Sequence, residues 1–173
     1  MGQYYKPIIL KKDKKTVVSF MHSHDFGNGF KLMEHSYIKN NFVKAFETLI
    51  INNPQRVLWG GDYAKVEKGF KNNAYRRCTD EKKVRPETQS EAKHRYIVNH
   101  TKKTFVDKKA VIDVGGWQIH PLPLLTCEGN GEGGGDFFGE DKNKLVGSWA
   151  RDIISIETKR PKDFKELVFD LKE

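Results

Sequence analysis

The chain has 173 residues, 37% of them hydrophobic and 12% aromatic, which is enough to bury a core and excludes a disordered chain. No apolar run is long enough to span a bilayer and the first residues carry no signal-peptide core, so a cytoplasmic protein with no membrane partner is expected. Lys and Arg outnumber Asp and Glu by 31 to 23, a net charge of +8; residues 65–109 hold 14 basic and 6 acidic residues while the remainder balances at 17 to 17, so that segment points to an anionic partner, a nucleotide or nucleic acid.

Residues 3–10 read as a strand, Lys11-Lys12-Asp13-Lys14-Lys15 as a basic turn, and residues 16–21 as the return strand of a hairpin. Asn28-Gly29 marks a further turn. His22 and His24 are two apart and would share one face of a strand. With Asp25 nearby they are candidates for acid–base chemistry, but a third spaced ligand is missing and no metal is expected. Residues 36–51 form the clearest helix: Ile38, Phe42, Val43, Phe46, Leu49 and Ile50 recur at helical spacing, with Ser36 as N-cap and Asn52-Asn53-Pro54 as the stop. A short strand over 56–59 follows. Gly60-Gly61 then reads as a sharp turn that leaves Asp62 and Tyr63 exposed at a strand end.

Residues 65–92 are polar, charged and weakly periodic, a basic excursion open to partial helix and to mobility. Residues 95–100 and 104–107 read as a hairpin, and 108–114 as another strand or a bulge. Trp117 to Thr126 is an apolar, proline-broken arm, read as a strand. The glycine-rich span after it, 127–139, reads as a shaped loop, and residues 153–156 as the strand that returns from it. Gly129, Gly131 and Gly134 match G-x-G-x-x-G formally, but no helix opens after them, so a dinucleotide site is rejected. Cys78 and Cys127 form neither a disulfide framework nor a zinc pair by spacing. Residues 164–171 fit either a strand or a short helix. Neither a repeat nor a linker interrupts the chain, so one α+β domain is expected over 1–173, an antiparallel sheet with the amphipathic helix packed on it.

The opening Met1-Gly2-Gln3-Tyr4-Tyr5-Lys6 stands with Leu32-Met33-Glu34-His35-Ser36-Tyr37, Gly61-Asp62-Tyr63, Tyr96-Ile97-Val98-Asn99-His100, His120-Pro121-Leu122-Pro123-Leu124 and Val146-Gly147-Ser148-Trp149-Ala150-Arg151-Asp152. Together these resemble a group of small uncharacterised proteins from bacteria and their phages. The resemblance spans most of the chain outside the basic excursion. It implies no activity, cofactor or site residue. It does suggest a role against host defence, by sequestering a nucleotide signal or by blocking a protein or nucleic acid.

Three functions are weighed. The first is binding of a phosphate-bearing ligand, with Gly133 and Gly134 offering backbone N–H groups, Arg151 a charge-assisted bond, and Tyr63 and Trp149 aromatic faces. Those residues, with Asp152, Asp62 and His24, are expected around one pocket beside the glycine loop. Arg151→Ala would then remove binding and leave folding intact. The second is a hydrolase of nucleotides or phosphoesters, its catalytic group drawn from His24, Asp25 and Asp62, with Glu34, His35, His100, His120 and Asp136 as further raw material. The third is an inhibitor docking on a host protein through exposed aromatics and arginine.

Overall fold

The computed structural model describes residues 1–89 and 93–173; the last three residues of the expected excursion, 90–92, lie outside the described residues. In chain order the elements are β1 (Tyr5–Leu10), β2 (Val17–Phe20), α1 (Leu32–His35), α2 (Asn41–Thr48), β3 (Gln55–Gly61), β4 (Tyr96–Asn99), β5 (Thr104–Asp107), α3 (Pro121–Thr126), β6 (Cys127–Glu128), β7 (Ile153–Glu157) and β8 (Lys165–Glu166). Four single-turn 3-10 helices punctuate the loops. All eight strands join one sheet in the order β2-β1-β3-β7-β4-β5-β8, with β6 beside β3. The α+β expectation holds. The sheet is mixed rather than purely antiparallel, because β6 runs parallel to β3 and β8 parallel to β5.

Strand alternation builds a main core and two smaller clusters, the smallest of them Tyr96, Val98 and Phe105. Ile9, Val57, Trp59, Ile97, Val106, Ile154 and Ile156 point to one face, where Phe42, Val43 and Phe46 of α2 and Leu122, Leu124 and Leu125 of α3 cover them. Ile8, Leu10 and Leu58 point to the other face, closed by Ala74, Cys78 and Ala150. Ala74 and Cys78 belong to the basic excursion. Within it residues 75–77 and 80–82 form 3-10 turns and Asn73 is buried.

The expected helix over 36–51 is real but shorter. It starts four residues late because Asn40 caps it, its Oδ1 accepting from Phe42 N at 2.9 Å and Val43 N at 3.2 Å. Ser36 instead donates to the Leu32 carbonyl at 2.6 Å and closes α1, and Lys39 at φ 75° separates the two helices. Of the arm expected as a strand over 117–126, Pro121–Thr126 is helix. Pro121 sits at the first helical position, where a missing N–H costs nothing, and His120 Nδ1 accepts from Leu122 N at 3.1 Å as its cap. Gly60 and Gly61 do not turn the chain either. They are the last residues of β3, paired with Lys6 and Tyr5, and a Cβ on Gly61 would lie 2.6 Å from Gln3 Oε1. Residues 108–110 form a 3-10 turn where a strand or bulge was expected, and the C-terminal stretch contributes only the two residues of β8. Among the described residues no helix is long and apolar enough to cross a membrane.

Candidate functional site

The glycine loop folds back over the N-terminus. Gly134 N donates to Met1 O at 3.0 Å, Gln3 N donates to Gly134 O at 3.3 Å, and Gly133 N donates to Asp136 Oδ2 at 2.8 Å. Asp136 is buried and also accepts from Gln3 Nε2 at 2.7 Å and from the Tyr5 hydroxyl at 2.8 Å. Burial and the neighbouring Cys127 and Asp136 raise the Tyr5 pKa, so this phenol stays a donor. The amides of Gly133 and Gly134 are therefore spent on the chain itself. A cavity of about 340 Å³ beside the loop is lined by Glu128, Asn130, Asp136 and apolar neighbours, with neither Lys nor Arg among its walls. A phosphate there would face the Glu128 and Asp136 carboxylates, which weighs against the loop as a phosphate cradle. Gly133 is glycine for a packing reason: an added Cβ would stand 2.1 Å from Gln3 Cβ and 2.7 Å from Gln3 N. Gly133→Ala is expected to cost about 2 kcal/mol, as forced overpacking does, read as a lower thermal midpoint. An unchanged midpoint would show that the N-terminus can shift away at no cost.

The residues expected around that cavity are elsewhere. Trp149 is core, 2% exposed. Asp152 is buried and accepts from Asn99 Nδ2 at 2.8 Å and from the Lys102 ammonium. Asp62 continues the β1–β3 ladder by one step, its N–H donating to Tyr4 O and its Oδ1 accepting from Tyr4 N, both at 2.9 Å; Tyr63 follows, half-buried. His24 is exposed on the 3-10 turn over Ser23–Phe26, stacked on Phe30 with ring centroids 5.8 Å apart, and Asp25 pairs with Lys83 at 3.3 Å. That turn also removes the shared strand face proposed for His22 and His24. Among the described residues no three His, Cys, Asp or Glu side chains are grouped to hold a metal.

Four of the five Arg151 N–H groups are committed within the chain. Its Nε and one terminal nitrogen grip Glu128 at 2.9 and 2.7 Å, the same nitrogen reaches Glu67 at 2.8 Å, and the other donates to the Lys14 carbonyl at 2.6 Å. Arg77 meets Glu67 from the other side at 2.8 Å and donates to the Lys15 carbonyl at 2.9 Å. Glu67 thus joins two arginines, and each arginine pins one carbonyl of the β1–β2 turn. Burial works against ionisation of Glu67, but the two guanidinium bonds outweigh it and hold the carboxyl below its ordinary value.

That pinned turn borders the best candidate site. A cleft of about 670 Å³ is lined by Leu10, Val18, Pro54 and Ile153 and by the cations Lys11, Lys12 and Arg56. Its one acid, Asp13, is committed to the turn, accepting from Lys15 N and Thr16 N at 2.8 Å each and from the Thr16 hydroxyl, which hold its carboxyl down at about 2. Arg56 donates to the Arg151 carbonyl at 3.0 Å, and its Nε finds no acceptor. Lys11, Lys12, Lys14 and Lys15 are all exposed, and among the described residues none of them, nor Arg56, is in an ion pair. The basic segment 65–109, expected to carry the free charge, is paired in part. Arg77, Lys83, Arg95, Lys102 and Lys108 all meet carboxylates, and Asp25, Asp152 and Glu47 come from outside the segment. The signal for the cleft was four lysines in five residues at a hairpin tip.

His35 and His100 bond within the chain. His35 is fully buried between Gly29 O, 3.0 Å from its Nδ1, and Trp59 Nε1, which donates to its Nε2 at 2.9 Å; burial pushes its pKa down to about 4. His100 Nε2 lies 2.7 Å from Ser155 Oγ, which donates to Glu157 at 2.7 Å, but Ser155 is 0% exposed and no substrate can reach it. Glu34 accepts from the Lys31 N–H in a capping box. No family model, curated protein or solved structure matches this chain.

Proposed function

We propose that this protein binds a phosphate-bearing ligand, a nucleotide or a nucleic acid, in the cleft beside the β1–β2 turn. The observation that carries this reading is the convergence of Lys11, Lys12 and Arg56 on one cleft whose only acid is already committed. Like charges held together repel, and an anion relieves that repulsion while gaining charge-assisted hydrogen bonds. The Glu67 network holds the turn in place before a ligand arrives, so little ordering cost opposes binding.

Thermal-shift measurements with inorganic phosphate, pyrophosphate, mono- and dinucleotides and a short oligonucleotide test the reading. At least one is expected to raise the midpoint. A folded-state ligand at 100 times its dissociation constant adds about 2.7 kcal/mol, roughly 5–11 °C for a domain of this size. The double variant Lys11→Ala/Lys12→Ala should lose the shift and keep its unliganded midpoint, since both side chains are exposed and unpaired. No shift with any compound, or a shift that survives in the double variant, overturns it.

A further inference from the structure

Resting on that reading, we infer that the ligand is a nucleic-acid strand held by its sugar–phosphate backbone, without readout of its bases. The chemistry of the cleft walls carries this step. A site for a single nucleotide needs an aromatic face or base-edge partners as well as a phosphate grip. The cleft contains no aromatic residue. Its one amide, Gln55, is turned to its own chain, Nε2 donating to Asn53 at 3.0 Å. The walls offer cations and apolar surface instead: Lys11, Lys12 and Arg56 with Leu10, Val18, Pro54 and Ile153, Val18 being 46% exposed. A strand offers phosphates to the first and sugars to the second. The cleft is a trough open to solvent rather than an enclosed pocket, and Lys14 and Lys15 continue the positive charge along the same turn. Contacts of this kind supply affinity and position but carry no sequence information.

The test is fluorescence anisotropy with labelled oligonucleotides, single-stranded and duplex, longer than the roughly 4–16 nucleotides a small binding fold covers. Pyrophosphate and mononucleotides serve as competitors. The oligonucleotide is expected to bind much more tightly than either competitor. Three phosphate contacts predict a log–log salt slope of about −2 to −3. Lys11→Ala and Lys12→Ala should each reduce its magnitude by about 1. Oligonucleotides of different base composition should bind within about twofold of one another, because backbone contacts do not discriminate bases. If a mononucleotide or pyrophosphate binds as tightly as the oligonucleotide, the strand inference falls while the phosphate reading stands. If no phosphate compound of any length binds, both fall. Oligonucleotide binding that ignores Lys11→Ala and Lys12→Ala also overturns the inference, because the strand then lies elsewhere.

Discussion

Replacing Arg151 with alanine is expected to lower the thermal midpoint by roughly 6–12 °C, corresponding to about 3 kcal/mol in a chain of this length. The guanidinium is the centre of a partly buried network, with side-chain exposures of 16% for Arg151 and 14% for Glu67. Its removal leaves Glu67 with Arg77 alone, strips Glu128 of its only cation, and unpins the Lys14 carbonyl. Arg151 also stands at φ 68°, a backbone setting that costs an ordinary side chain about 1–2 kcal/mol. Arg151→Gly therefore separates the two effects. Alanine keeps the backbone cost and glycine relieves it, so Arg151→Gly should be about 1–2 kcal/mol more stable than Arg151→Ala while still falling short of the unaltered protein by the rest of the guanidinium loss. Arg151→Lys keeps a charge but not the fork that spans Glu128 and Glu67, and should recover only part of the loss. A midpoint shift of less than about 2 °C on Arg151→Ala, under 1 kcal/mol, would show the network to be no stronger than a surface pair.

The outcome expected for Arg151→Ala is the opposite of the one drawn from sequence, and the reason is general. Period-2 alternation and turn chemistry are local, so the β1–β2 and β4–β5 hairpins, the β3 strand and the β7 strand could be read from the chain. Helical periodicity found α2 but not its start, because Ser36 and Asn40 are both acceptable caps and tertiary contacts chose between them. The prolines at 121 and 123 were taken as breakers when the first turn of a helix tolerates them. Charge was the least legible property. Counting residues placed the excess in 65–109, yet ion pairs join residues far apart in sequence: Lys108 with Glu47, Lys102 with Asp152, Lys83 with Asp25. Lys11 and Lys12 of the 11–15 turn, which line the cleft, have no ion pair among the described residues. Arg151 and the glycine loop drew attention for residue types that phosphate sites use, but Arg and Gly serve internal networks and close backbone approaches equally well.

Glu47 holds the second large effect. It lies on the core side of α2, 1% exposed, between a cation and an imidazole: the Lys108 ammonium at 2.7 Å from Oε2 and the His120 ring against Oε1. Because His120 Nδ1 accepts from Leu122 N, its Nε2 carries the proton and donates to Glu47 while the ring stays neutral; Lys108 balances the charge. Burial opposes ionisation of Glu47, but His120 and Lys108 outweigh it and hold the carboxyl at about 2, below its ordinary 4.5. Glu47→Ala would leave the Lys108 ammonium without this carboxylate and the buried imidazole without its acceptor, a loss of about 3–5 kcal/mol and roughly 6–20 °C in midpoint. The pH dependence has a defined sign. A carboxyl depressed in the folded state contributes fully above about 4.5, and that contribution is lost as pH falls toward 2. His35, pushed from 6.5 to about 4, also favours the folded state at neutral pH, and its share is lost as pH falls from 6.5 toward 4. The midpoint of the unaltered protein should therefore fall in two stages on acidification. Glu47→Ala should flatten the lower stage and retain the upper one. Parallel midpoint curves for the two proteins through the acid range would mean that Glu47 is not ionised in the folded core.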